Sequence, residues 1–178
     1  FSSRCMTAPG LETRPMPSGG WLLAGAALCG GRAYALLADF FAQTARMMGM
    51  DTNAPYAAME GLLKSADRPE DVPTVLPLFE GTRQDSTQTG SITGLTAENF
   101  TPLHFIYGMM DGMAHELHQM YQAYRAAGGT AKKLIGSGGG LRNNRFLCES
   151  FSRVFDSAII LSDGREEAAC GAELYAAD

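Results

Sequence analysis

The chain of 178 residues carries 14 Lys and Arg against 19 Asp and Glu, a net charge of −5, and 46% of it is hydrophobic. That length suits one domain, or at most a large domain with an appendage, able to bury a core, the apolar content excludes a disordered chain, and an acidic balance without a Lys/Arg stripe argues against nucleic acid as the main partner. The longest apolar run, Trp21 to Leu28, is far short of the roughly 18 to 20 residues that cross a bilayer, so no membrane span is expected.

From Arg4 to Pro17 the residues alternate loosely and are broken by Pro9-Gly10 and Pro15, which predicts short strands or a hairpin. Leu28, Leu36, Leu37, Phe40, Phe41 and Met47 recur at helical spacing, placing a long helix from Ala26 or Gly31 to Met48-Gly49. Tyr56 to Ser65 reads as a shorter helix behind the cap candidates Thr52-Asn53. Asp67 to Gln88 is rich in Pro, Asp, Thr and Gly and reads as an extended loop holding a strand fragment near Val75-Leu-Pro-Leu-Phe79, with a new segment from Ser91. Thr101 to Ala127 is the second long helix. Pro102 falls in its first turn, where the missing N–H is unneeded, and Gly128-Gly129 stops it.

The last fifty residues read as strand Lys132–Ile135, glycine loop Gly136–Leu141, helix Asn143–Phe155, strand Ser157–Leu161 and closing helix Glu166–Ala176. This order argues for an α/β layer with its chemistry at strand ends.

Twenty-one glycines exceed the roughly dozen that average usage of about 7% gives for this length. Gly136-Ser-Gly-Gly-Gly-Leu-Arg-Asn-Asn144 lies between strand and helix, where backbone N–H groups and the helix dipole face a ligand. It has neither the Gly-Lys-Ser/Thr ending of a phosphate-wrapping loop nor dinucleotide Gly-x-Gly-x-x-Gly spacing. It therefore reads as a nucleoside seat or, more plainly, as a tight turn in which Asn143 caps the next helix. Gly30-Gly31 could likewise admit a ligand to the start of a helix, although these residues alone favour close helix packing.

Other groups read as structure. His115 and His118 stand at i and i+3, off the i, i+4 register of a helical zinc pair, and fit a solvated polar face. Met109, Met110, Met113 and Met120 fit core packing, and Glu166-Glu167 fits a helix N-terminus. Cys5, Cys29, Cys148 and Cys170 lack metal or disulfide spacing and read as reduced thiols of a cytosolic protein. The start at Phe1 without a signal-like segment reads as an internal piece of a longer protein.

Four stretches, in order, carry a family resemblance: Gly25-Ala-Ala-Leu-Cys-Gly-Gly31; Gly81-Thr-Arg-Gln-Asp85 with Gly90-Ser-Ile-Thr-Gly-Leu-Thr96; Gly136 to Asn144; and Glu166-Glu-Ala-Ala-Cys-Gly-Ala172. Over nearly the whole chain, 1–178, they resemble the C-terminal domain of the FGGY carbohydrate kinases. The resemblance leans toward sedoheptulokinase-like members, with xylulokinase, ribulokinase and glycerol kinase types as the alternatives. It implies an α/β actin-like ATPase (ribonuclease H-like) domain, a mixed sheet flanked by long helices.

By that resemblance Gly138, Gly139, Gly140 and Asn143 bind the adenosine of ATP, Asn143 at the adenine edge, and Gly30 approaches the nucleotide. Tyr34 stands where glycerol kinases carry Gln, and Gly171-Ala172 matches a close-packed closing helix. ATP or ADP and Mg²⁺ would be bound, a ketose or polyol would be phosphorylated through an N-terminal domain absent from this chain, and homo-oligomers would be allowed. The catalytic Asp would lie outside these residues, leaving this chain inactive alone. Two other classes stay open: a non-catalytic actin-like scaffold module, and a dinucleotide-binding oxidoreductase domain with Asp163 as its acidic residue.

Overall fold

The structure is a computed structural model describing residues 2–17, 19–50, 53–131, 133–163 and 167–176. The chain divides into two compact units, Phe1–Thr130 and Ala131–Asp178.

In the first unit, β1 (Glu12–Pro15) falls in the stretch expected to hold short strands, but its antiparallel partner β2 (Trp21–Ala24) lies beyond that stretch, with Glu12 opposite Ala24 and Pro15 opposite Trp21. Helix α1 (Gly30–Met47) buries Ala33, Leu37, Ala38 and Ala42, one face of the helix. It ends where Gly49 turns left-handed, at φ +75°. Helix α2 (Pro55–Ser65) opens on a proline. Its cap position is Ala54, which offers no side-chain hydrogen bond. The cap expected at Thr52-Asn53 is therefore not at Asn53, and Thr52 lies outside the described residues. Strands β3 (Thr74–Leu76) and β4 (Ser91–Thr93) pair antiparallel, so the long loop does hold a strand fragment.

Helix α3 (Pro102–Ala126) is the axis of this unit, capped by Thr101 and buried on every side from Ile106 to Ala114. Ile106 and Met110 are fully buried, each contributing about 2 kcal/mol of hydrophobic stabilisation. Met109 and Met113 join them, while Met120 is half-buried. Such all-round burial needs a close neighbour, and β3 supplies it by lying on the helix backbone. A Cβ on Gly108 would stand 2.9 Å from the Pro73 carbonyl oxygen, and one on Gly112 would run into the Val75 carbonyl.

Side chains hold the loops onto this core. The buried Asn99 amide donates to the carbonyls of Asp71 (3.0 Å) and Gly94 (2.9 Å), and its oxygen accepts from the Thr96 N–H (2.8 Å). All of its main bonding capacity is thus met, as a buried amide requires.

In the second unit, β5 (Leu134–Gly136), α4 (Gly139–Asn143), α5 (Arg145–Val154), β6 (Ile159–Leu161) and α6 (Glu167–Ala176) follow the expected strand-helix-strand-helix order. β5 and β6 pair parallel, Leu134 opposite Ile159 and Gly136 opposite Leu161. Parallel and antiparallel pairs are both present, divided over three two-stranded sheets. The helix expected from Asn143 to Phe155 is present as α5, and a further short helix, α4, precedes it. Helical turn begins at Gly139, inside the expected glycine loop, and breaks at Asn144, whose Oδ1 accepts from the Leu147 N–H at 3.1 Å and starts α5. Asn144, not Asn143, is the cap.

Candidate functional site

Strand β5 ends at Gly136, and the chain turns through Ser137 and Gly138 into α4, at the C-terminal edge of the parallel pair where α/β proteins place ligands. Gly138 adopts φ +93°, ψ 158°, a conformation essentially reserved for glycine. Among the described residues, nothing fills the space before these glycines. A Cβ on Gly138 would meet nothing within 4 Å, on Gly139 only Asn143 Nδ2 at 3.8 Å, and on Gly140 only Leu147 Cδ2 at 3.9 Å. Gly136 is different in kind, because a Cβ there would press on Ile159 Cδ1 at 2.7 Å. Gly136 lets strand and helix pack, whereas Gly138 to Gly140 expose bare main chain to solvent.

The structure therefore brings Gly138, Gly139, Gly140 and Asn143 together. Since Asn144 takes the cap, the exposed Asn143 amide is not spent on the helix and keeps a donor and an acceptor beside the glycines. Beneath the turn, the Cys148 thiol donates to the Leu141 carbonyl at 3.0 Å. Burial, and secondarily the charge of Glu149, pushes its pKa up, so it stays protonated.

Gly30 lies in the first unit, as the first residue of α1. A Cβ on Gly30 or Gly31 would meet nothing within 4 Å, so the packing reading of this pair fails. The Cys29 side chain makes no cap hydrogen bond and no acidic residue occupies the first turn. No side chain of the helix caps its first N–H groups, and the Glu80 carboxylate, paired with Arg32 at 2.5 Å, lies at this end of α1. Tyr34, one turn on, stacks on Tyr56 of α2 with ring centroids 6.2 Å apart and is engaged in helix packing.

The Gly81–Asp85 stretch closes on itself. Thr82 Oγ1 accepts from the Asp85 N–H at 3.0 Å, and Asp85 accepts from the Thr87 N–H and hydroxyl at 2.9 and 2.6 Å. These Thr87 bonds hold the Asp85 carboxyl below its ordinary pKa. Gly171 departs from expectation: it and Ala172 are exposed, and a Cβ on Gly171 would meet nothing within 4 Å, so close packing is not what selects it. Glu166 lies outside the described residues.

His115 Nδ1 contacts the Asp111 carbonyl at 2.9 Å, and among the described residues no group of three or more His, Cys, Asp or Glu could hold a metal ion. The expected solvated face is interrupted by Glu116, whose Oε2 is buried without a hydrogen-bond partner. Burial raises its pKa. Sequence reasoning also missed Arg142, whose guanidinium reaches Ser162 twenty residues on. Nothing local marks that contact.

This architecture is that of the actin-like ATPase fold. The solved xylulose kinase of Bifidobacterium adolescentis matches 96% of the chain with a TM-score of 0.75 at 16% identity, the match spanning 32% of that protein. The glycerol kinase of Plasmodium falciparum, solved with ADP, matches 96% with a TM-score of 0.71 at 17% identity, spanning 34% of that protein. The FGGY family of carbohydrate kinases, C-terminal domain, matches residues 5–177, and the chain belongs to this family. The xylulose kinase of Bacillus subtilis (strain 168) is 28% identical over 93 residues, 52% of this chain and 18% of that relative. The matched region thus spans 18% to 34% of these relatives' lengths.

Proposed function

We propose that this chain is the nucleotide-holding part of a kinase that transfers the γ-phosphoryl group of ATP to a hydroxyl of a ketose or polyol. The observation that carries the reading is the open main chain at Gly138, Gly139 and Gly140 beside the uncommitted Asn143 amide. A flat base and ribose can lie against a path without Cβ atoms, and an amide matches the donor and acceptor of an adenine edge. Gly30, which the family resemblance assigns to the nucleotide, opens α1 in the first unit.

Phosphoryl transfer rests on positioning and electrostatics, with Mg²⁺ neutralising phosphate charge when bound. We assign Mg²⁺ no ligand in this chain, and place the Asp that deprotonates the sugar hydroxyl outside it. By resemblance to sedoheptulokinase-like members, Gly25 to Gly31 and Gly136-Ser-Gly138 favour a sedoheptulose-like ketose, and the four spaced cysteines favour a reducing, cytoplasmic setting.

Calorimetric titration of the chain with ADP, ATP and NAD tests the nucleotide reading. Binding of ADP and ATP that is weakened by Asn143→Ala supports it, and preferential binding of NAD overturns it. Assay of the full-length kinase against sedoheptulose, xylulose, ribulose and glycerol tests the acceptor. ATP turnover with none of a wider ketose and polyol panel would favour a nucleotide-gated scaffold instead.

A further inference from the structure

Helix α4 has only five residues, and its first two are Gly139 and Gly140. A turn so short does not sustain itself, because nucleation is unfavourable and each glycine costs about 1 kcal/mol relative to alanine in a helix. Its order has to come from neighbours. Leu141 lies against Gly136, and its carbonyl accepts from the Cys148 thiol at 3.0 Å. Arg142 makes the longest reach: its Nη2 donates to Ser162 Oγ at 2.8 Å and lies 3.4 Å from the Ser162 carbonyl oxygen.

Ser162 is itself fixed. It directly follows β6, and its N–H donates to the Gly136 carbonyl at 2.9 Å, carrying the parallel ladder one bond beyond Leu161. Gly136 ends β5 and leads through Ser137 into Gly138. The chain from Gly136 to Arg142 and the contacts Arg142 to Ser162 and Ser162 to Gly136 therefore close a ring around the glycine turn. The ring ties the strand ladder to α4, which is too short to sustain itself.

We propose that Arg142 is a positioning residue for the nucleotide: it clamps α4 to the end of β6 so that Gly138, Gly139, Gly140 and Asn143 are set before the ligand arrives. This rests on the nucleotide reading above. Arg142 acts through the turn and need not touch the ligand. Without the clamp, α4 samples frayed conformations, and binding must then order it at the expense of affinity. A planar guanidinium on a long stem serves hydroxyl and carbonyl together, which a lysine ammonium reproduces only in part.

The test is steady-state kinetics of the full-length kinase carrying Arg142→Ala, Arg142→Lys, Ser162→Ala or Asn143→Ala. Loss of a charge-assisted hydrogen bond predicts that Arg142→Ala raises KM for ATP about tenfold, leaves kcat within about threefold and leaves KM for the sugar unmoved. Arg142→Lys should recover part of the loss, and Ser162→Ala, which keeps the carbonyl acceptor, should raise KM for ATP about two- to threefold. An unchanged KM for ATP in Arg142→Ala, or a fall in kcat with both KM values rising together, overturns the proposal. Should Arg142→Ala not fold, Arg142→Lys and Ser162→Ala decide it by the same split. Asn143→Ala separates the two readings: if it raises KM for ATP while the clamp variants do not, only the clamp fails, and if it has no effect, both fall.

Discussion

Arg68 and Asp111 meet end-on, Nη1 to Oδ1 at 3.3 Å and Nη2 to Oδ2 at 2.5 Å, across 43 residues of sequence. The guanidinium also lies 4.8 Å above the ring of Tyr107, one turn before Asp111 on α3. The pair is lopsided, since the Asp111 side chain is 12% exposed and that of Arg68 30%. It pins the segment after α2 to the most buried stretch of α3.

This asymmetry predicts unequal costs. Arg68→Met removes the guanidinium from a nearly buried carboxylate and should cost about 2 to 3 kcal/mol, below the full value for a wholly buried pair because Arg68 keeps some water. Asp111→Asn leaves a cation able to turn to solvent and should cost about 1 to 2 kcal/mol. Urea unfolding of both variants and the double variant measures this. Equal losses, or no coupling in the double-mutant cycle, would contradict it.

A second prediction concerns Gly112. Its α-hydrogen faces the Val75 carbonyl, a backbone atom that cannot rotate aside. Gly112→Ala should therefore destabilise by about 1 to 3 kcal/mol, although alanine is the better helix former by about 1 kcal/mol. A Cβ on Gly61, in α2, would meet nothing within 4 Å, so Gly61→Ala should stabilise instead. Thermal unfolding of the two variants should give shifts of opposite sign, and a matched sign would show that packing does not govern Gly112.

These glycines show what the sequence could and could not carry. Periodicity located α1 and α3, and Pro102 and Gly128 bounded α3, because those signals are local. Whether a glycine faces a crossing strand, as Gly112 does, or open space, as Gly30 and Gly138 do, depends on which distant element passes it. Sequence alone therefore preferred the packing reading for Gly30-Gly31. The break at Asn144 was hidden because Asn143 and Asn144 are equally good caps, and only the Leu147 N–H distinguishes them. The His115–His118 stretch reads as a solvated face for the same reason: the burial of Glu116 within it depends on residues elsewhere in the chain.

Glu116 and His118 predict opposing pH dependences. Burial raises the Glu116 pKa above its ordinary 4.5, so just above pH 4.5 the folded chain keeps a proton that the unfolded chain has released. Stability from this group therefore falls as pH rises through that window, until the folded carboxyl ionises. Burial first, then the His115 charge, lowers the His118 pKa below its ordinary 6.5, so stability from this group falls as pH drops below 6.5. Glu116→Gln should stabilise the protein near neutral pH and leave the acid-side loss from His118 undiluted. Denaturation midpoints between pH 4 and 8 check this, on a range set by the ordinary values of the two groups. A variant whose profile parallels the parent's throughout would rule Glu116 out.

Gly138 and Gly139 allow folding and ligand binding to be separated. At φ +93° and ψ 158°, Gly138 cannot become alanine without strain, so Gly138→Ala should cost about 1 to 3 kcal/mol of stability as well as ADP affinity. Gly139 is helical and its nearest neighbour is Asn143 Nδ2 at 3.8 Å, so Gly139→Ala has room and should gain up to about 1 kcal/mol from helix propensity. Its new methyl group nevertheless projects into the space where a nucleoside would meet the main chain. Gly139→Ala should thus be at least as stable as the parent chain while binding ADP about tenfold more weakly, the size expected when a close contact worth about 1.4 kcal/mol is lost. Paired calorimetry and thermal unfolding give both quantities from one preparation. If Gly139→Ala binds ADP as tightly as the parent, the open space before these glycines is not where the nucleotide sits.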